Sequence, residues 1–160
     1  MIERPLQRQI AAAVGAGLAG ALAVDAFIFF TQIAGGAPPG QVITSVWTFV
    51  ATVPFGPGIA ANPAAPLIGA IVHACVSIGW ALGYVYLVRS QPQLLTRPWI
   101  SGAAFGLVVY VFMQIVLLTA GMYHRPSPQG LEQALIGYML FFGVPVALVV
   151  SRVLARPSAA

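Results

Sequence analysis

The chain has 160 residues, 59% of them hydrophobic and 6% charged, with a formal net charge of +4. Soluble domains carry about 25% charged residues, so this composition excludes an ordinary water-soluble surface and makes the bilayer the expected solvent. Lysine is absent and all seven basic residues are arginine. They form no basic run or aromatic-basic platform, which argues against a nucleic-acid partner.

Arg4 and Arg8 precede an apolar run that continues through Phe27, Ile28, Phe29 and Phe30. Val24-Asp25-Ala26 imitates a small-residue cleavage site, but the apolar region of a cleaved signal is only about 7–15 residues long. The run therefore reads as an uncleaved helix over 10–34. A spanning helix needs about 20 mainly apolar residues. The segments 66–88, 100–122 and 134–151 qualify or nearly do. The last is short and contains Pro145, which predicts a kink.

Between the first two spans, Gly35-Gly36-Ala37-Pro38-Pro39-Gly40 is turn-forming, and 54–66 is rich in Pro, Gly, Ala and Asn. The apolar stretch 41–53 is too short to span, which predicts a helix at the interface or re-entering it, with Trp47 as an anchor. The expected fold is thus an all-α membrane protein of one domain, 1–160. It is a four-transmembrane-helix bundle with a short interfacial or re-entrant helix between helices 1 and 2.

Arginine placement sets an expected orientation. Arg4, Arg8, Arg89, Arg97, Arg152 and Arg156 fall on one side of the spans and Arg125 on the other. The positive-inside rule then puts both termini in the cytoplasm. Tyr84, Tyr86 and Trp99 are expected near the cytoplasmic boundary and Tyr123 near the opposite one. Small residues recur every fourth position at Ala13/Gly17/Ala21, Gly79/Gly83 and Gly102/Gly106, a spacing that permits close helix approach in lipid. Cys75, the single cysteine, reads as a small buried filler.

Charge is scarce enough to make one residue stand out. Asp25 lies inside the first span, and an acid at membrane depth costs several kcal/mol unless it has a partner or a function. Asp25 is nine residues before Ala34, His73 seven after Pro66 and Gln114 eight before Met122. At about 1.5 Å per residue, all three sit roughly 10–14 Å below one membrane boundary. Helical spacing extends this intramembrane polar layer to Gln32, Ser77 and Tyr110. An Asp–His pair can share a proton, or it can act as interhelical glue worth about 1 kcal/mol. Haem at His73 is disfavoured because no second ligand lies at a matching depth. No metal-ligand spacing, phosphate-binding loop or Ser/His/Asp motif is present. Arg125 and Glu132 read as solvated loop residues.

The stretch Leu67-Ile68-Gly69-Ala70-Ile71-Val72-His73 with Tyr84-Val85-Tyr86, the Arg97-Pro98 boundary, the run from Gly102 to Gln114, and Gly143-Val144-Pro145-Val146-Ala147-Leu148 carry a resemblance. Together they resemble the YagU-like group of small bacterial inner-membrane proteins. Asp25 falls where that group often has an Asp-hydrophobic pair, whereas Gln114 stands where an asparagine is expected. The resemblance reinforces the fold and implies no particular activity. The expected function is a non-enzymatic accessory or structural membrane protein without cofactor, surrounded by lipid and packed against a larger complex or against itself. The alternative is a minimal proton-coupled carrier or small-ligand site using Asp25 and His73.

Overall fold

A computed structural model of the chain describes residues 6–155; Arg4 and Arg156, used above for orientation, lie outside them. Six helices follow in order: α1 (Leu6–Ala34), α2 (Pro39–Phe55), α3 (Ala65–Ser90), α4 (Pro98–Thr119), α5 (Pro128–Ile136) and α6 (Val144–Ala155). A π-helical segment, Gly137–Gly143, joins α5 to α6, and short 3-10 turns at Pro57–Ala61 and Pro92–Leu95 flank α3. No strand occurs among the described residues. Four helical stretches are long and apolar enough to cross a membrane: α1, α3, α4 and the continuous Pro128–Leu154. The protein is an all-α, multi-pass membrane bundle.

The helix ends follow from local chemistry. Helices α2 to α5 all start with proline in the first turn, where its missing N–H costs nothing. Ser127 caps α5 by accepting a bond from the Gly130 N–H at 3.0 Å. After α1, Gly36 turns left-handed at φ 92°, letting Ala37 N–H bond Gln32 O and Gly36 N–H bond Ile33 O. Gly121 closes α4 in the same way at φ 70°. Both are Schellman endings, in which glycine supplies the backbone conformation and two orphan carbonyls gain donors.

The fourth span is longer than the sequence suggests, because α5 begins at Pro128 rather than near 134. The break expected at Pro145 is a π turn preceding it. Pro145 has no N–H to offer the carbonyl four residues back, and the Val144 N–H bonds Met139 O, five residues back.

Glycines decide which helices touch. A methyl group at Gly17 would stand 2.6 Å from Ile78 Cα, so α1 and α3 meet backbone to backbone. At Gly102, Gly106 and Gly143 a methyl group would likewise strike backbone across the seam between α4 and the π segment. At Gly69 it would overlap the Trp47 carbonyl, so α2 lies directly on α3. Such close approach is the main source of helix association in lipid, where burying apolar side chains gains little. The seam between α3 and α4 is different, filled by rings: Trp80 with Phe112 at 5.0 Å and Tyr84 with Phe105 at 4.9 Å. The spans alternate in direction. One end of the bundle, here the turn end, carries the α1–α2 turn and the α4–α5 loop.

Side chains directed outward are largely apolar, among them Leu22, Phe30, Leu67, Ile71 and Val108. Cys75 is exposed, not buried as its apolar surroundings suggest, because its face of α3 points away from α1 and α2. Gly79 and Gly83 share that open face, and a methyl group on either would meet nothing within 4 Å.

Candidate functional site

Asp25 and His73 meet between α1 and α3. The carboxylate Oδ1 and the imidazole Nε2 are 3.4 Å apart. Asp25 is 8% exposed as a residue, and its partner's side chain keeps 23% of its surface. Both facing atoms are fully enclosed, yet neither makes an aligned hydrogen bond to any described residue. A heavy-atom separation of 3.4 Å with poor alignment is a charge contact more than a hydrogen bond.

The second carboxylate oxygen has a different partner. Trp47 Nε1–H donates to Asp25 Oδ2 at 3.3 Å. The indole N–H of Trp47, read from sequence as an interfacial anchor, is thus turned into the bundle. The contact between its own carbonyl and Gly69 lays α2 against α3 and turns the indole to α1. An indole N–H taken out of water needs an acceptor, and Asp25 is the one within reach. The sequence signal was faint: a tryptophan on a short apolar helix, and a glycine in the fifth position of α3 that leaves room for it.

Gln114 does not join this pair. Helix α4 packs against the π segment and α6, and Gln114 makes no hydrogen bond to a described residue. Of the extended layer, Ser77 is buried where α1 crosses α3 at Gly17. Tyr110 is buried on α4 with its ring 5.6 Å from that of Tyr138. Gln32 is exposed near the turn end of α1.

A second polar contact lies toward the other end, unforeseen from sequence. Tyr84 is 1% exposed, so it is no boundary aromatic. Its hydroxyl bonds Ser101 Oγ at 2.8 Å, and Ser101 Oγ donates to Leu94 O at 2.9 Å, joining α3, the intervening turn and α4. Tyr86 and Trp99 remain outside, 72% and 65% exposed. His124, Arg125 and Glu132 are exposed.

The arrangement offers limited chemistry. A carboxylate that accepts from an indole on one oxygen and faces an imidazole on the other can hold one proton between Asp25 and His73. It can also bind three helices together without any proton moving. No group of three or more His, Cys, Asp or Glu placed to hold a metal ion occurs among the described residues. Comparison with protein families, curated proteins and solved structures finds no match for this chain.

Proposed function

We propose that this chain is a non-enzymatic accessory or structural protein of the bacterial inner membrane, with both termini in the cytoplasm. The observation that carries this reading is how its costly polar groups are used. Asp25 is bonded to Trp47 on α2 and faces His73 on α3, so the one buried acid among the described residues ties α2 to the bundle. The arginine distribution supports the orientation. The resemblance to YagU-like proteins supports the bacterial inner membrane. The open face of α3 at Cys75, Gly79 and Gly83 is where a larger membrane partner or a second copy would pack closely. Gentle extraction from native membranes should yield the chain in a complex of defined size, and Gly79→Leu with Gly83→Leu should release it folded. Recovery as a monomer under every mild extraction would overturn the reading.

One observation favours a second reading, a proton-coupled carrier or small-ligand site. Asp25 Oδ1 and His73 Nε2 face each other, and neither atom makes a hydrogen bond among the described residues. Asp25→Asn keeps size and hydrogen-bonding capacity while removing the charge. Loss of pH-driven uptake in vesicles by a fully folded Asp25→Asn, matched by His73→Gln, would establish this reading in place of the first.

A further inference from the structure

A cavity of about 400 Å³ lies beside the Asp25 site without including it. Helix α1 forms its floor, and α2 on one side and α5 with the π turn on the other form its walls. The volume falls within the range of small-molecule sites. The lining is graded. Gln32 and Gln133 stand toward the turn end, and Phe27 on α1 and Tyr138 on the π segment lie deeper, each five residues away along the chain. Phe49 adds a third ring from α2. The two carboxamides make no side-chain hydrogen bond to any described residue, so their donors and acceptors are available to a ligand, whereas the Tyr138 ring packs against Tyr110 on α4. No charged side chain lines the space.

We infer that this cavity binds an uncharged, lipid-soluble molecule with a carbonyl-bearing ring, of the quinone class, entering from the bilayer. Each part of the lining selects for part of that chemistry. Without an arginine or carboxylate, a fatty-acid anion or a phosphate headgroup would lose its hydration and gain no counter-charge. Carboxamide N–H groups pair with carbonyl oxygens, and Phe49 offers an open ring face beside Phe27 and Tyr138, which already pack against Phe141 and Tyr110. The π turn contributes by presenting Gly137 and Tyr138 at the cavity wall, and such turns recur at functional sites. The inference holds whether the Asp25 pair is structural or protonic, since neither Asp25 nor His73 lines the cavity.

The test uses the full chain in phosphatidylcholine nanodiscs and a radiolabelled short-tailed benzoquinone, with empty discs subtracted. Saturable binding of about one molecule per chain is expected. Gln133→Leu should weaken it about fivefold, the loss of one hydrogen bond. Ser45→Phe, which fills the cavity from the exposed side of α2, should weaken it at least tenfold. Oleate should not compete. Simple partitioning equal to that of empty discs would overturn the assignment, as would wild-type affinity in Gln133→Leu or equal competition by oleate. Gln133 is exposed, so that variant remains informative even if Ser45→Phe fails to fold.

Discussion

The two polar contacts inside this bundle are built on different terms. Near the termini, Tyr84, Ser101 and Leu94 are neutral, lie within 17 residues of one another, and form bonds of 2.8 and 2.9 Å. Toward the turn end, Asp25, Trp47 and His73 come from three helices, with 22 residues between Asp25 and Trp47 alone. Their contacts are longer, at 3.3 and 3.4 Å, and one of them is unaligned. A neutral contact across one tight turn can be optimised locally. An ionisable contact across three helices is set by backbone seams elsewhere, chiefly Gly17 against α3 and Gly69 against α2. The first contact fixes a corner. The second joins three helices through longer contacts.

The largest expected effect comes from breaking the seam beneath the turn-end contact. Gly69→Leu would drive a side chain into the Trp47 carbonyl, so α2 must leave α3. A loss of about 3 kcal/mol is expected, at the upper end of overpacking costs, together with new proteolysis between 39 and 64. SDS-driven unfolding in mixed micelles measures the first and limited digestion the second. Stability within about 0.5 kcal/mol of the parent would show that α2 does not depend on that approach.

Removing the acid should matter next. Asp25→Leu strands the Trp47 indole and leaves His73 facing an alkyl group, at a cost of about 1–2 kcal/mol. Asp25→Asn keeps an acceptor for the indole and should unfold at nearly the parent SDS fraction. If Asn and Leu were equally damaging, the charge itself would be what holds the three helices together.

Tyr84→Phe removes one bond from the contact near the termini while Ser101 keeps Leu94 O, so about 1 kcal/mol should be lost. A double-mutant cycle sharpens the contrast. Tyr84→Phe with Ser101→Ala should show a larger coupling than Trp47→Phe with Asp25→Asn, because Asn preserves an acceptor. The opposite ranking would mean that the turn-end contact is the better formed of the two.

The smallest effect belongs to the open face of α3. Gly79→Leu meets no atom within the chain and should change the stability of the isolated protein by less than about 0.5 kcal/mol. A larger loss in the purified monomer would show that this face is packed in a way that the fold does not include.

Four long apolar helices and an additional helix over 41–53, observed as Pro39–Phe55, followed from apolar run length and from the Pro/Gly segments between runs. Helical rise is constant at about 1.5 Å per residue, so a matching level for Asp25 and His73 was legible. That is why Asp25 and His73 could be expected to meet. Azimuth was not legible. Gln114 was expected at their level, yet α4 packs across the fourth span, held there by Gly102, Gly106 and Gly143. Trp47 looked like a boundary residue because no sequence rule says that a short helix will fold back onto the glycine at position 69. Tyr84 misled for a similar reason, since its partner Ser101 becomes a neighbour only after the chain turns at 92–95. Composition and periodicity therefore determined that this chain is a bundle of membrane helices with one acid at depth. Which side chains surround that acid was decided only by the order of helices around the bundle, because backbone seams between small residues set that order.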